Sequence, residues 1–139
     1  MSKYSTLDIG QHIYNIIAPT LRERLSGEVY PEDCRPLDSN DEDAVIVVIS
    51  ALASQIQSGR ARINIYVADI DNGASRAVPN IGRLQEIASW GAEIVDELNN
   101  ADTDFNFDLS QAPQMVADNE IRQHFISIIL DFKRITFNK

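Results

Sequence analysis

Two neighbouring segments decide the fold, Ala44-Val45-Ile46-Val47-Val48-Ile49 and Arg62-Ile63-Asn64-Ile65-Tyr66-Val67. The first is a run of β-branched residues, which is typical of a strand that is buried on both faces. The second alternates apolar and polar residues, as does a strand with one buried face. Because Gln57-Ser58-Gly59-Arg60 between them favours a turn, the sequence predicts a long antiparallel hairpin over residues 44–68. Its tip, residues 53–61, is polar on both faces and is expected to project from the core.

Two further segments have the apolar periodicity of helices. Residues 7–25 place isoleucines three and four positions apart, and Gly27 is placed to end the helix. Pro19 lies inside this pattern, so we expect it to kink or split the helix. Residues 81–98 carry a broad apolar stripe with charged residues opposite, which makes this the strongest helix prediction in the chain.

The remaining segments complete a sheet. Val29-Tyr30 is predicted as a brief strand, and residues 105–109 alternate as a half-buried strand does. Residues 123–137 are rich in β-branched and aromatic side chains, which favours a long central strand, whereas residues 111–119 are predicted to be a loop. The expected fold is therefore α+β, with a mostly antiparallel sheet, a long hairpin, and two main helices packed on one face.

Composition predicts a single domain over residues 1–139. The chain has 139 residues, of which 44% are hydrophobic and 24% are charged, as in ordinary globular domains. Its first residues lack the apolar core of a signal peptide, and the longest apolar stretch is only about half the roughly 20 residues that a membrane-spanning helix needs. The single cysteine, Cys34, cannot form an internal disulfide. We therefore expect a soluble, cytoplasmic protein that does not enter a membrane.

The charge balance disfavours tight binding to nucleic acid. The chain has 12 Lys and Arg residues against 21 Asp and Glu residues, and its formal net charge is −9. Proteins that bind double-stranded DNA tightly neutralise its phosphates with Lys and Arg. The acidity serves either solubility alone or a surface that must not adhere to passing nucleic acid.

No motif for catalysis, a cofactor or a metal is recognisable. His12 and His124 lie far apart, and no second histidine stands at helical spacing from either. The segment Asp69-Ile70-Asp71-Asn72-Gly73 is similar to the start of a calcium loop, but its glycine comes one position early and Asn80 stands where a bidentate Glu is required. Cys34 has no histidine near it in sequence, and no glycine-rich phosphate loop is present. We expect a protein that is not an enzyme, although a metal-dependent hydrolase that uses Asp69 and Asp71 is an alternative.

Two features suggest contact surfaces instead of a catalytic site. A projecting hairpin tip costs ordering entropy unless a partner holds it, and we predict that Ile56, Gln57 and Arg60 form an interface there. The acidic loop of residues 38–43 is expected at an exposed rim. The last strand would offer unpaired backbone groups to a neighbouring subunit if it lay at a sheet edge.

The order of these elements resembles the tail-completion or tail-terminator proteins of long-tailed bacteriophages and the related neck proteins of prophages. Residues 62–70 are also similar to segments of small prophage proteins. The resemblance is carried by the leading helix 7–25, the exit Gly27-Glu28-Val29-Tyr30-Pro31, the hairpin 45–67, the helix 81–98, and the strands 105–109 and 125–137. It implies a virion component without catalytic residues that forms a ring, often hexameric, joins tail to head, and contacts other tail or neck proteins.

Two functional hypotheses follow from the sequence. The leading one is a structural assembly protein, a tail-terminator or head-tail joining subunit whose copies close into a ring. The alternative is a small intracellular ligand-binding or regulatory module, with its pocket between the helix 81–98 and the sheet.

Overall fold

The computed structural model describes residues 5–32, 34–52, 56–71, 73, 77–101 and 105–135. Three helices are present within these ranges: α1 (Thr6–Arg24), α2 (Ile81–Ala88) and α3 (Gly91–Ala101). The strands, in chain order, are β1 (Val29–Pro31), β2 (Ala44–Leu52), β3 (Ile56–Ala68), β4 (Ile70–Asp71), β5 (Ala77–Val78), β6 (Phe105–Leu109), β7 (Gln114–Asp118) and β8 (Gln123–Ile135).

Six strands form one mixed, mostly antiparallel sheet. Its order is β1-β2-β3-β8-β6, and β7 pairs with β8 as well, on residues 123–127, which precede the residues 130–134 that pair with β6. Only the short pair β1–β2 is parallel among these pairings. Strands β4 and β5 form a separate two-stranded sheet. The predicted α+β fold is confirmed.

The longest pairing joins β3 to β8. Its register runs without interruption from Ile56 opposite Ile135 to Ala68 opposite Gln123. The long central strand predicted for residues 123–137 is therefore present over residues 123–135, and residues 136–137 lie outside the described residues. The condition under which this strand would offer unpaired backbone groups to a neighbouring subunit is not met, because β3 pairs with one side of it and β6 and β7 pair with the other.

The predicted turn at Gln57-Ser58-Gly59-Arg60 is also wrong, because these residues belong to β3. They pair with β8 on one side, and the last three pair with β2 on the other, so residues 56–61 do not project from the sheet. Residues 53–55, the rest of the predicted tip, lie outside the described residues. The predicted loop 111–119 is corrected as well, since residues 114–118 form β7.

Helix α1 begins with a capping box, in which Ser5 and Asp8 each accept a hydrogen bond from the other's backbone N–H. Pro19 does not split this helix. Proline has no backbone N–H, so the carbonyl of Asn15, four residues earlier, lacks its hydrogen bond within the helix. Both residues are exposed, so this carbonyl is on the exposed side of the helix.

The second helical segment divides into α2 and α3 at Ser89 and Trp90. The backbone N–H of Trp90 donates to the carbonyl of Ile87, three residues back, which tightens the chain at this point. The break turns Trp90 into the protein, where its side chain is buried. The guanidinium groups of Arg24 and Arg83 lie 5.3 Å and 5.2 Å from the centroid of its ring, within cation–π range.

The core lies between the helices and one face of the sheet. Rows of buried side chains cross the central strands, for example Ile46 opposite Ile63 and Ile63 opposite Ile128. The helices cover these rows with fully buried residues, namely Ile9, Ile13, Ile17, Leu84, Ile87 and Leu98. Both helical segments therefore pack on the same face, as the sequence predicts.

The outer edge of β6 is capped by a side chain of α3. The amide of Asn99 donates to the carbonyl of Phe107 at 2.9 Å and accepts from its N–H at 2.7 Å. These backbone groups point away from β8 and would otherwise be open to another strand. By contrast, β7 pairs with β8 alone in the described part of the chain, and it exposes Met115 and Val116.

We expect Asn99→Ala to lower the free energy of unfolding by about 1–3 kcal/mol, because it leaves a backbone N–H and a carbonyl of Phe107 without a partner. The neighbouring variant Asn100→Ala is the matched control, since Asn100 is exposed. Urea unfolding followed by circular dichroism measures both. Equal stability of the two variants would contradict the assigned role of Asn99.

Candidate functional site

The face of the sheet opposite the helices is the candidate site, and we call it the open face. It is formed by the side chains of β3 and β8 that alternate with the core residues. The register sets Arg60 opposite Asp131, and Asn64 opposite Ser127. No helix of the described residues packs against it. Its exposed side chains include Arg60, Arg62, Asp131 and Lys133, whereas Gln123 and Ser127 are buried.

A cleft of about 600 Å³ lies at one end of the open face. Its lining includes the apolar residues Ile49 and Leu109, the cations Arg60 and Lys133, and the carboxylates Asp108 and Asp131. Phe132 also lines it, but its side chain is buried in the core. The side chain of Ile49 is 45% exposed, which is unusual for isoleucine. A bulge in β2 between Val48 and Ser50 interrupts the pairing at this residue.

The cations of the cleft end are only partly neutralised. Arg60 Nε lies 3.0 Å from Asp131 Oδ1, and both side chains are about half exposed. Neither Arg62 nor Lys133 forms an ion pair with any residue that the structure describes. The cleft lining thus holds two cations, Arg60 and Lys133, and two carboxylates, Asp108 and Asp131. Arg62 lies outside the cleft, two residues further along β3 on the same face.

A loop folds over the opposite end of the open face and is held there by Arg35. The Arg35 Nε donates to Asp43 Oδ2 at 2.9 Å, and its Nη2 donates to Gln123 Oε1 at 2.8 Å. Its guanidinium also lies 4.1 Å from the centroid of the Tyr66 ring. Burial raises the pKa of Tyr66, and the positive charge of Arg35 opposes that rise.

Asp43 is the buried anchor of this loop. Its side chain is 1% exposed, and its carboxylate accepts hydrogen bonds from three donors: Arg35 Nε, the Ser39 hydroxyl, and the backbone N–H of Glu28. A Cβ atom at Gly27 would lie 2.0 Å from Asp43 Oδ1, so only glycine leaves room for the carboxylate. The prediction that residues 38–43 form an exposed rim therefore holds for Asp38 and Asp41 but is wrong for Asp43.

The tip of the same loop is a tight turn. The backbone N–H of Ser39 donates to the carbonyl of Pro36 at 3.3 Å, which makes Leu37 and Asp38 the central residues of a four-residue turn. Leu37 is 92% exposed, and Asp38 is exposed beside it without an ion pair to any described residue. The loop thus presents an apolar side chain and a carboxylate together from a fixed base.

The three predicted interface residues do not share one surface. Arg60 lies on the open face and lines the cleft. Gln57 is 1% exposed and has the parity of the core residues Ala61 and Ile63, so it faces the helices. Ile56 pairs through its backbone with Ile135, and its side chain lies outside the described part of the structure.

The residues considered for chemistry occupy separate places. His12 packs against the Phe105 ring at a centroid distance of 4.9 Å, and His124 Nδ1 lies 2.7 Å from Asp69 Oδ1. Cys34 is exposed. Within the described ranges, His, Cys, Asp and Glu side chains nowhere gather in threes as they would around a metal ion.

Arg62 and Lys133 are exposed on the open face but were not among the predicted interface residues. Both belong to predicted strands, and the alternation within each strand indicates which residues share a side of that strand. The sequence alone does not show that the two residues lie on the same face of the sheet, because that depends on the register in which β3 pairs with β8.

No protein-family model matches the chain, and no curated protein sequence matches it. In the part of the chain that the structure describes, no helix combines the length and the apolar composition needed to cross a membrane.

We expect Arg35→Met to lower the free energy of unfolding by about 3–5 kcal/mol, because it leaves the buried Asp43 carboxylate without its cation. Arg60→Met is the matched control, since it breaks an exposed Arg–Asp pair and should cost less than about 1 kcal/mol. Urea unfolding measures both losses. Similar losses in the two variants would show that Arg35 does not anchor the loop.

Proposed function

We propose that this chain is a non-catalytic assembly subunit whose copies form a closed ring, and that the ring belongs to a phage or prophage tail or neck. The single observation that carries the proposal is the open face. It combines exposed apolar groups, such as Ile49, with two cations, Arg62 and Lys133, that form no ion pair within the described ranges, on a strongly acidic chain. Such a surface suits contact with another protein, because both apolar area and unpaired charge are stabilised when a complementary surface covers them.

The free edge of β7 supports contacts beyond the ring. The strand is exposed along its length, and its outer backbone groups can pair with an extended segment of another protein. The capped edge of β6 cannot do so at Phe107 while Asn99 occupies it. We assign β7 to contacts with other tail or neck proteins.

The resemblance in the order of elements gives the proposal its phage context. It rests on the sequence pattern of a leading helix, a hairpin, a second helical segment and closing strands. The net charge of −9 is compatible with a conduit through which DNA passes without adhering.

We expect light scattering across a concentration series to give a discrete mass that is a whole multiple of 15.6 kDa, and negative-stain images to show rings. Arg62→Glu should weaken the assembly, because it reverses an unpaired charge on the open face. Glu23→Arg is the control, since Glu23 is an exposed residue of α1, on the helix side. A strict monomer at every concentration, with no ring in the images, would contradict the proposal.

The cleft supports a second candidate, a small-molecule binding module. Its volume of about 600 Å³ lies within the roughly 300–1,000 Å³ range of small-molecule sites. This cleft is on the open face and not between the helix 81–98 and the sheet, where the sequence reasoning expected a pocket.

We expect no compound of a metabolite library to raise the melting temperature if the cleft serves assembly alone. A reproducible rise would indicate binding to the native state. Loss of that rise in Lys133→Ala, with Arg122→Ala unchanged as control, would place the ligand in the cleft and favour the second candidate.

A further inference from the structure

We propose that the cleft on the open face receives the Leu37–Asp38 turn of a second copy of this chain. Leu37 enters the apolar part of the cleft beside Ile49, and Asp38 pairs with Lys133. This inference rests on the proposed function, because it names the two surfaces through which neighbouring subunits of the ring meet.

The turn has the properties of an inserting element. Leu37 is 92% exposed, so its apolar surface is left almost wholly in water by the single chain. The base of the loop is fixed by Arg35, Asp43 and Gln123, which limits the ordering entropy lost on binding. A rigidly presented leucine beside a carboxylate needs a receiving site that is apolar on one side and cationic on the other.

The cleft has the complementary properties. Ile49 is 45% exposed and lines it together with the half-buried Leu109. Lys133 lines the same cleft and has no ion pair with a described residue. Asp38 and Lys133 therefore both lack an ion-pair partner among the residues that the structure describes, and contact between two copies pairs them.

The positions of the two surfaces exclude contact within one chain and favour a ring. The loop packs on Tyr66, whereas the cleft is lined by Arg60 on the same strand. Six residues of extended strand separate these positions by about 20 Å. A surface at one end that fits a different surface at the other end gives a head-to-tail contact, which closes into a ring when the rotation between subunits permits it.

Charge reversal with rescue tests the pairing. Asp38→Lys and Lys133→Asp should each raise the concentration at the midpoint of assembly by at least about tenfold, because each sets like charges together. The double variant should restore assembly, since it re-forms the pair with its signs exchanged. Asp96→Lys, an exposed reversal on α3, is the control and should leave the midpoint unchanged.

The outcomes separate this inference from the proposed function. If the wild-type chain assembles while the single reversals have no effect, or while the double variant fails to recover, the pairing is overturned and the assembly proposal stands. If the wild-type chain is monomeric throughout, both are overturned.

A cross-link detects the contact even when association is weak. Leu37→Cys protein is mixed with Ile49→Cys protein, both carrying Cys34→Ser because Cys34 is an exposed free thiol. Oxidation should give a disulfide-linked heterodimer. The control mixture contains Leu7→Cys protein instead of Ile49→Cys protein, because Leu7 is also exposed but lies on α1. Equal yields from the two mixtures would overturn the inference.

Discussion

The pairing of β3 with β8 is the interaction on which the rest of the structure depends. These two strands are joined along their whole lengths, and each other strand of the main sheet is attached through one of them. β6 and β7 pair with β8, while β2 pairs with β3 and in turn carries β1. The same register divides the side chains into a core face and an open face, so it determines where the helices pack and which residues remain available for contact.

The sequence predicted those parts of the fold whose signal is local. β-branched runs and alternation identified β2 and most of β3 and β8, and apolar periodicity identified the helical segments. The start of β3 was misjudged because Ser58 and Gly59 have the composition of a turn, and only their two neighbouring strands make them extended. Strand β7 was missed for a related reason: it is exposed throughout, so it has no alternation to reveal it.

The candidate site was predictable only in part. Arg60 and Gln57 were predicted to share one interface. Successive residues of a strand point to opposite faces of the sheet, so Arg60, three positions after Gln57, is exposed while Gln57 is buried. The burial of Asp43 was hidden within an acidic run, since it depends on Arg35 and on the space left by Gly27. Pairings of this kind are set by tertiary structure, and the local pattern does not contain them.

The central position of β8 also affects how the chain acquires its structure. β8 follows every other strand along the chain, and its contacts with β3 join residues far apart in sequence, such as Ile56 and Ile135. Folding rates fall as the sequence separation of contacting residues grows. During synthesis, β3 can pair with β2 long before β8 emerges from the ribosome, and its other side then remains an open template for strand addition. The step that completes the core is therefore also the step that ends the period of greatest risk of aggregation.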